Sequence, residues 1–385
     1  VKNFKHWTVL VIITYGFIEL ISYGGLFLLN NYRQIKYEPI DVISTRHSDI
    51  INNFIEQKTN YVSYSSSLGW TIKENGSSRL YQANSAGIRS HKEYAFTPPR
   101  GIRRISTFGD SYTHCDNVKN NETWQAVLES YDSNREALNF GVGGFGLDQA
   151  YLRYLEKGYK YKSHIVLIGF MSENIYRSVN TYRPFYYAKT GVPLTKPRFV
   201  VENDELSLIP NPMQKLQDYK TLLHSRDVLS EVGINDYYYN RRYASNIFDW
   251  SPNVRLAKIL VHKVKKKLHN EDIIINGQYN ENAEAFIVIK KIFDEFHNEV
   301  IDNGSMPIIL VFPNKYDVLQ YQRQNEKIYS PLLTFFMSRG YKYIDLMDAF
   351  EGAVVKDLFV DHYSPLANML VAKHIHNYLN NPNSQ

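Results

Sequence analysis

The sequence predicts an α/β protein, a parallel sheet covered by helices and preceded by one transmembrane helix. Three observations carry that prediction. Short apolar strands alternate with helical segments on either side of an irregular middle stretch. Polar and glycine-rich stretches follow directly on those strands, at the edge where open α/β sheets form their sites. Residues 7–29 are an almost unbroken apolar run, long enough as a helix (~35 Å at 1.5 Å per residue) to cross a bilayer core.

Lys2, Lys5 and His6 precede the apolar run and favour a cytoplasmic N-terminus. The run is longer than a signal-peptide core, and no small-x-small cleavage site follows it. It reads as an uncleaved signal anchor, with the chain after about Asn30 outside the cytoplasm. The competing reading is a buried helix of a soluble protein. Glu19 lies mid-span, where a charge is costly, so it is either protonated or paired with another membrane helix.

Residues 41–57 have helical spacing, with Ile43, Ile50, Ile51, Phe54 and Ile55 apolar. Residues 63–87 are polar, with strand-like pieces such as 69–72, and 97–101 read as a boundary linker. The predicted division is an anchor at 1–32, a juxtamembrane region at 33–100 and a main domain at 101–385, with an insertion or cap at about 179–280. In the main domain the predicted strands are 105–108, 137–140, 165–170, 307–312 and 343–346. The predicted helices are 123–129, 147–158, 283–301, 330–338 and 366–379, with Ser330 as N-cap and Pro331 opening its helix. Within the insertion, 199–208 reads as a hairpin about Asn203-Asp204. Residues 237–243 are aromatic and basic, and 262–267 read as a solvated basic helix face, with contact to an anionic glycan or lipid headgroup as the lesser reading. The stretch from Asn380 reads as a frayed tail.

The 385 residues suffice for one large or two ordinary domains, and 44% hydrophobic with 22% charged content is that of a globular protein. A net charge of +5 without a basic-aromatic patch argues against nucleic acid. The 31 tyrosines suit a carbohydrate-binding groove but equally reflect compositional bias. A single cysteine, Cys115, excludes an intrachain disulfide and multi-cysteine zinc sites. No metal-ligand spacing such as H-E-x-x-H occurs, and no cofactor is implied.

Candidate chemistry begins at Gly109-Asp110-Ser111-Tyr112-Thr113, where a short strand stops at a tight turn. A nucleophilic hydroxyl needs such a place, exposed and beside free backbone N–H groups. Cys115 offers a thiol alternative, but the serine is better placed at the turn. A glycine cluster, Gly141-Val142-Gly143-Gly144, follows the second strand; Asn174 follows the third; His362 stands just before the last helix.

With Asn139-Phe140 before the glycines and Tyr363-Ser364-Pro365 after the histidine, this order resembles the SGNH (GDSL-like) hydrolase family, in particular its membrane-anchored bacterial branch. The resemblance runs from about Gly69 to the C-terminus and is loose over the insertion. It implies a three-layer flavodoxin-like sheet with helices on both faces. It implies Ser111 as nucleophile, His362 as the base, and an oxyanion hole from the Ser111 N–H, the Gly144 N–H and the Asn174 amide. The family places an aspartate three residues before the histidine, where this chain has Phe359. Asp361, Asp357 or a backbone carbonyl remain to orient the ring, with Asp361 preferred. The implied activity is a membrane-anchored serine esterase or O-acyltransferase outside the cytoplasm, in the periplasm at an inner membrane or on the outer face of a Gram-positive membrane. It would act on acyl, chiefly acetyl, esters of a cell-surface glycan; a non-catalytic glycan-binding or assembly subunit keeping the same fold is the alternative.

Overall fold

The structure, a computed structural model, describes residues 2–37, 39, 43–241, 246–269 and 272–381. Asp41, Arg242, Tyr243 and the tail from residue 382, all within readings given above, lie outside the described residues.

The sheet is built from five short, largely buried segments, two of them apolar throughout. They form β1 (Arg103–Phe108), β2 (Arg135–Asn139), β3 (Ile165–Met171), β4 (Met306–Phe312) and β5 (Tyr343–Asp345). All are parallel, in the spatial order β5-β4-β3-β1-β2. Strands without polar alternation must be covered on both faces, and they are. Chain segments α1 (Lys2–Arg33), α2 (Trp124–Ser130), α3 (Leu147–Glu156), α4 (Pro252–His269), α5 (Glu284–Asp302) and α6 (Pro365–Asn380) are helical. Val166, Ile168 and Phe170 of β3 pack on one face with residues of α3 and α5, such as Tyr154 and Phe293. Ile165 and Leu167 point the other way, into a cluster with Trp124 of α2 and Val371 of α6. The predicted layering and flavodoxin-like order are therefore present.

The strand order reverses between β1 and β3. In open α/β sheets ligand sites form outside the carboxyl ends of the strands at such a reversal, and both Ser111 and Asn174 lie just beyond those ends.

A third apolar cluster joins residues on either side of β1 in sequence. Ile51, Phe54 and Trp70 pack with Leu194, Tyr219 and Leu222, and with Val142 and Phe145 of the glycine loop. The region before residue 101 thus touches the site directly. One local expectation differs. The helix Ser330–Arg339 is capped by Tyr329, with Ser330 already helical, because the Ser330 hydroxyl donates to the Lys327 carbonyl at 2.7 Å and is spent on the preceding turn.

Helix α1 is long and apolar enough to cross a membrane. Its apolar side chains face outward, Trp7 and Leu20 each 67% exposed, so it is not a core helix of the folded domain.

Candidate active site

The turn after β1 is built by Gly109 and Asp110. A Cβ on Gly109 would sit 2.1 Å from the Thr113 hydroxyl oxygen, so only glycine fits there. Asp110 then caps the short helix Ser111–His114, accepting from the Tyr112 N–H at 2.9 Å. This places Ser111 at the first helical position, with its Oγ 2.9 Å from His362 Nε2. Residues 251 positions apart in the chain thus meet at hydrogen-bond distance.

The loop after β2 is tied to that turn by the Val142 N–H, which donates to the Gly109 carbonyl at 3.0 Å. Gly144 sits at φ +81°, a conformation that favours glycine. Among the described residues neither the Ser111 N–H nor the Gly144 N–H donates a hydrogen bond to the protein. Asn174, fully buried after β3, lies near the Asp110 carboxylate. Its amide favours that carboxylate, but among the described residues neither its Nδ2 nor its Oδ1 closes to hydrogen-bond geometry. Buried amides are rarely left so, and one kept beside a nucleophile is available to a ligand.

Three residues that the motif reading passed over hold these pieces. Arg177 donates to Asp110 at 3.2 Å and to the Phe145 carbonyl at 2.9 Å, joining the loops after β1, β2 and β3. It stands three positions after Asn174 on one short helix, a spacing that puts both on one face. Trp70 donates its indole N–H to the Gly143 carbonyl at 3.0 Å. That carbonyl and the Gly144 N–H belong to one trans peptide and point in opposite directions, so fixing one aims the other. Arg183 holds the far side of Gly144 through its carbonyl at 2.6 Å. Trp70→Phe keeps the apolar ring and loses only the donor. We expect about a tenfold fall in kcat (~1.4 kcal/mol in the transition state) with KM little changed; an unchanged kcat in steady-state kinetics would remove Trp70 from this role.

The histidine loop is held by an isolated bridge between Phe359 and Tyr363 and by the Tyr363 hydroxyl, which donates to the Pro313 carbonyl at 2.7 Å. Phe359, at the position where the resembled family has its acid, is buried against Phe350 and Tyr363 and faces the core. Asp357 is exposed. Asp361 comes to 3.6 Å of His362 Nδ1, too far for a hydrogen bond, and its side chain is 80% exposed. Among the described residues Nδ1 has no hydrogen-bond partner. Exposed ion pairs contribute about 0.2–1 kcal/mol, so Asp361→Asn should lower kcat/KM by no more than about fivefold. A loss on the scale of a missing triad member would restore Asp361 as the orienting acid.

Cys115 does not compete as nucleophile. It is buried in the core beside Gln125, and burial pushes its thiol up to about 12. Its neighbours form a hydrogen-bonded chain instead. His114 bonds Asp116 through Nδ1 and the Tyr61 hydroxyl through Nε2 at 2.6 Å. Burial, then the Arg89 guanidinium, pushes His114 down to about 4. The unfolded value is near 6.5, so the unfolded chain binds more protons between these limits. Stability is complete above pH ~6.5 and falls by on the order of 3 kcal/mol toward pH 4. His114→Gln should flatten that slope in urea titrations at stepped pH; an unaltered slope would show that His114 is not the group responsible.

Neither a family model nor a curated protein matches the chain. Solved structures do. One is described as a lipolytic protein of the G-D-S-L family from Desulfitobacterium hafniense, at 11% identity and TM-score 0.36, covering 71% of this chain and 98% of that one. A second, a member of the lipolytic G-D-S-L family from Veillonella parvula, has 11% identity and TM-score 0.34, with 73% and 99% covered. A third, an alpha/beta hydrolase enzyme from the metagenome of Lake Arreo, has 11% identity and TM-score 0.36, with 71% and 93% covered. At such TM-scores the likenesses carry no argument, and the functional reading rests on the geometry of the site.

Proposed function

We propose that the chain is an SGNH-type serine esterase or O-acyltransferase, anchored in a membrane by α1 with its catalytic domain outside the cytoplasm. The observation that carries this is the 2.9 Å approach of Ser111 Oγ to His362 Nε2, beside the Asn174 amide and beside Ser111 and Gly144 N–H groups that donate to nothing among the described residues. Ser111 Oγ attacks the ester carbonyl as His362 takes its proton. The carbonyl oxygen becomes an oxyanion and accepts from the Ser111 N–H, the Gly144 N–H and the Asn174 Nδ2. His362 returns the proton to the departing alcohol, leaving an acyl group on Ser111. Water, or the hydroxyl of an acceptor sugar, then reverses these steps. The proposed substrates are acyl, chiefly acetyl, esters of a cell-surface glycan. Lys2 and Lys5 at the N-terminal end of α1 support a cytoplasmic placement of that end.

One observation favours a second reading, a glycan-binding subunit without turnover: the His362 Nδ1 has no hydrogen-bond partner among the described residues. The test is the intact protein with p-nitrophenyl acetate and a fluorophosphonate. Turnover and labelling of Ser111 support the enzyme. Failure of both on folded protein that still binds glycan would leave the binding subunit.

A further inference from the structure

We infer that residues 246–262 form a re-entrant membrane segment, entering the leaflet on the catalytic-domain side and starting its helix at the bilayer midplane against Glu19. The inference rests on the reading of α1 as a membrane span.

Glu19 is the centre of the argument. It accepts from the Ser251 hydroxyl and from the Asn253 N–H at 3.1 Å. The acid in the middle of α1 therefore caps the N-terminus of α4. Further along, a Cβ on Gly25 would lie 3.2 Å from Leu256. Residue numbers rise together on the two helices, so they run parallel, with α4 beginning level with the middle of α1. In lipid the first N–H groups of a helix have no water to bond, and a carboxylate on a neighbouring span supplies what water would.

Lengths agree with that depth. Half of a ~30 Å hydrocarbon core is ~15 Å, or about ten helical residues. Counted from Pro252, this reaches His262. The exposed Lys263 and Lys265 follow at the level of the headgroups.

Surface chemistry agrees as well. Ile247 is 82% and Trp250 69% exposed beside Phe248, and Leu260, Val261 and Val264 are exposed along the helix. The Asp249 carboxylate is paired within the protein, with Lys258 at 2.7 Å and with the Tyr37 hydroxyl, which donates to it. An apolar surface of this kind calls for a cover. Lipid is the occupant because the patch is continuous with the outward-facing side chains of α1 and is bounded by lysines on the headgroup side.

The test uses tryptophan quenching in the full chain, reconstituted in phosphatidylcholine–phosphatidylglycerol vesicles. Trp70 and Trp124 are buried in the domain and give a constant background. In Trp7→Phe, Trp250 reports the segment. Quenching by a doxyl label deep in the acyl chain should exceed quenching by one near the carbonyl, and iodide should have no effect. Iodide quenching of Trp250 would overturn the inference. So would shielding from both kinds of quencher, which would mean that protein, such as a second copy of the chain, covers the patch. In Trp250→Phe, Trp7 reports α1. If Trp7 is quenched by the shallow label while Trp250 fails, the re-entrant segment alone is wrong. If Trp7 escapes both lipid labels, the anchor itself is wrong.

Discussion

Ser111→Ala is expected to lower ester turnover by on the order of 10⁴-fold or more and to abolish fluorophosphonate labelling. The magnitude follows from the mechanism. Without Oγ no acyl-enzyme forms, and only binding and the oxyanion donors remain to help water attack. Stability should hardly move. The change removes one hydroxyl whose described partner is His362, and such a bond contributes about 0.5–1.5 kcal/mol net. Kinetics on p-nitrophenyl acetate with thermal unfolding in parallel would check both. His362→Ala should fall to a similar rate, and the double variant should lose little more, because the pair acts as a unit. A Ser111→Ala protein that keeps its turnover would end the serine mechanism.

Asn174→Ala carries the second large effect, and its signature is a loss of turnover without a matching loss of stability. Turnover should drop about 10²–10³-fold, the usual cost of one oxyanion donor. Stability should hardly move. Alanine loses the amide's favourable contact with the Asp110 carboxylate, but both polar atoms of the amide are buried short of hydrogen-bond geometry among the described residues, a cost that alanine would not incur and that offsets the lost contact. A residue serving only as a turn or helix-start fixture would behave differently, losing stability and activity together. Measuring kcat and the urea midpoint on the same preparation separates the two roles.

Much of this site was legible because its parts stand at strand ends. The apolar run 165–170 fell close to β3, and the β-prone stretch 105–108, stopping at Gly109, fell close to β1, so what followed them could be named. Trp70 and Arg177 were not legible as site residues. Trp70 acts through a single hydrogen bond across 73 positions, and nothing in a local pattern announces such a contact. Arg177 could have been found, since it shares a helix face with Asn174, but an arginine in a polar stretch reads first as surface. Glu19 was recognised as out of place in an apolar run, yet its partner lies 232 positions away and no periodicity links the two. The cap of the helix Ser330–Arg339 was misread because a serine before a proline fits the common pattern, and only the folded chain shows its hydroxyl already engaged.

The strand order also bears on how the chain is made. β3 sits at the centre of the sheet, yet its neighbour β4 begins at Met306, 135 positions after the end of β3 at Met171. At ~5–20 residues per second, synthesis of that stretch takes on the order of 10 s. Throughout that interval one edge of the most apolar strand in the sheet has no partner, and unpaired edges recruit other chains. The protein is therefore most prone to aggregate while it is half made. Synonymous codon changes that slow translation between residues 171 and 306 should reduce its yield more than equal slowing after β5.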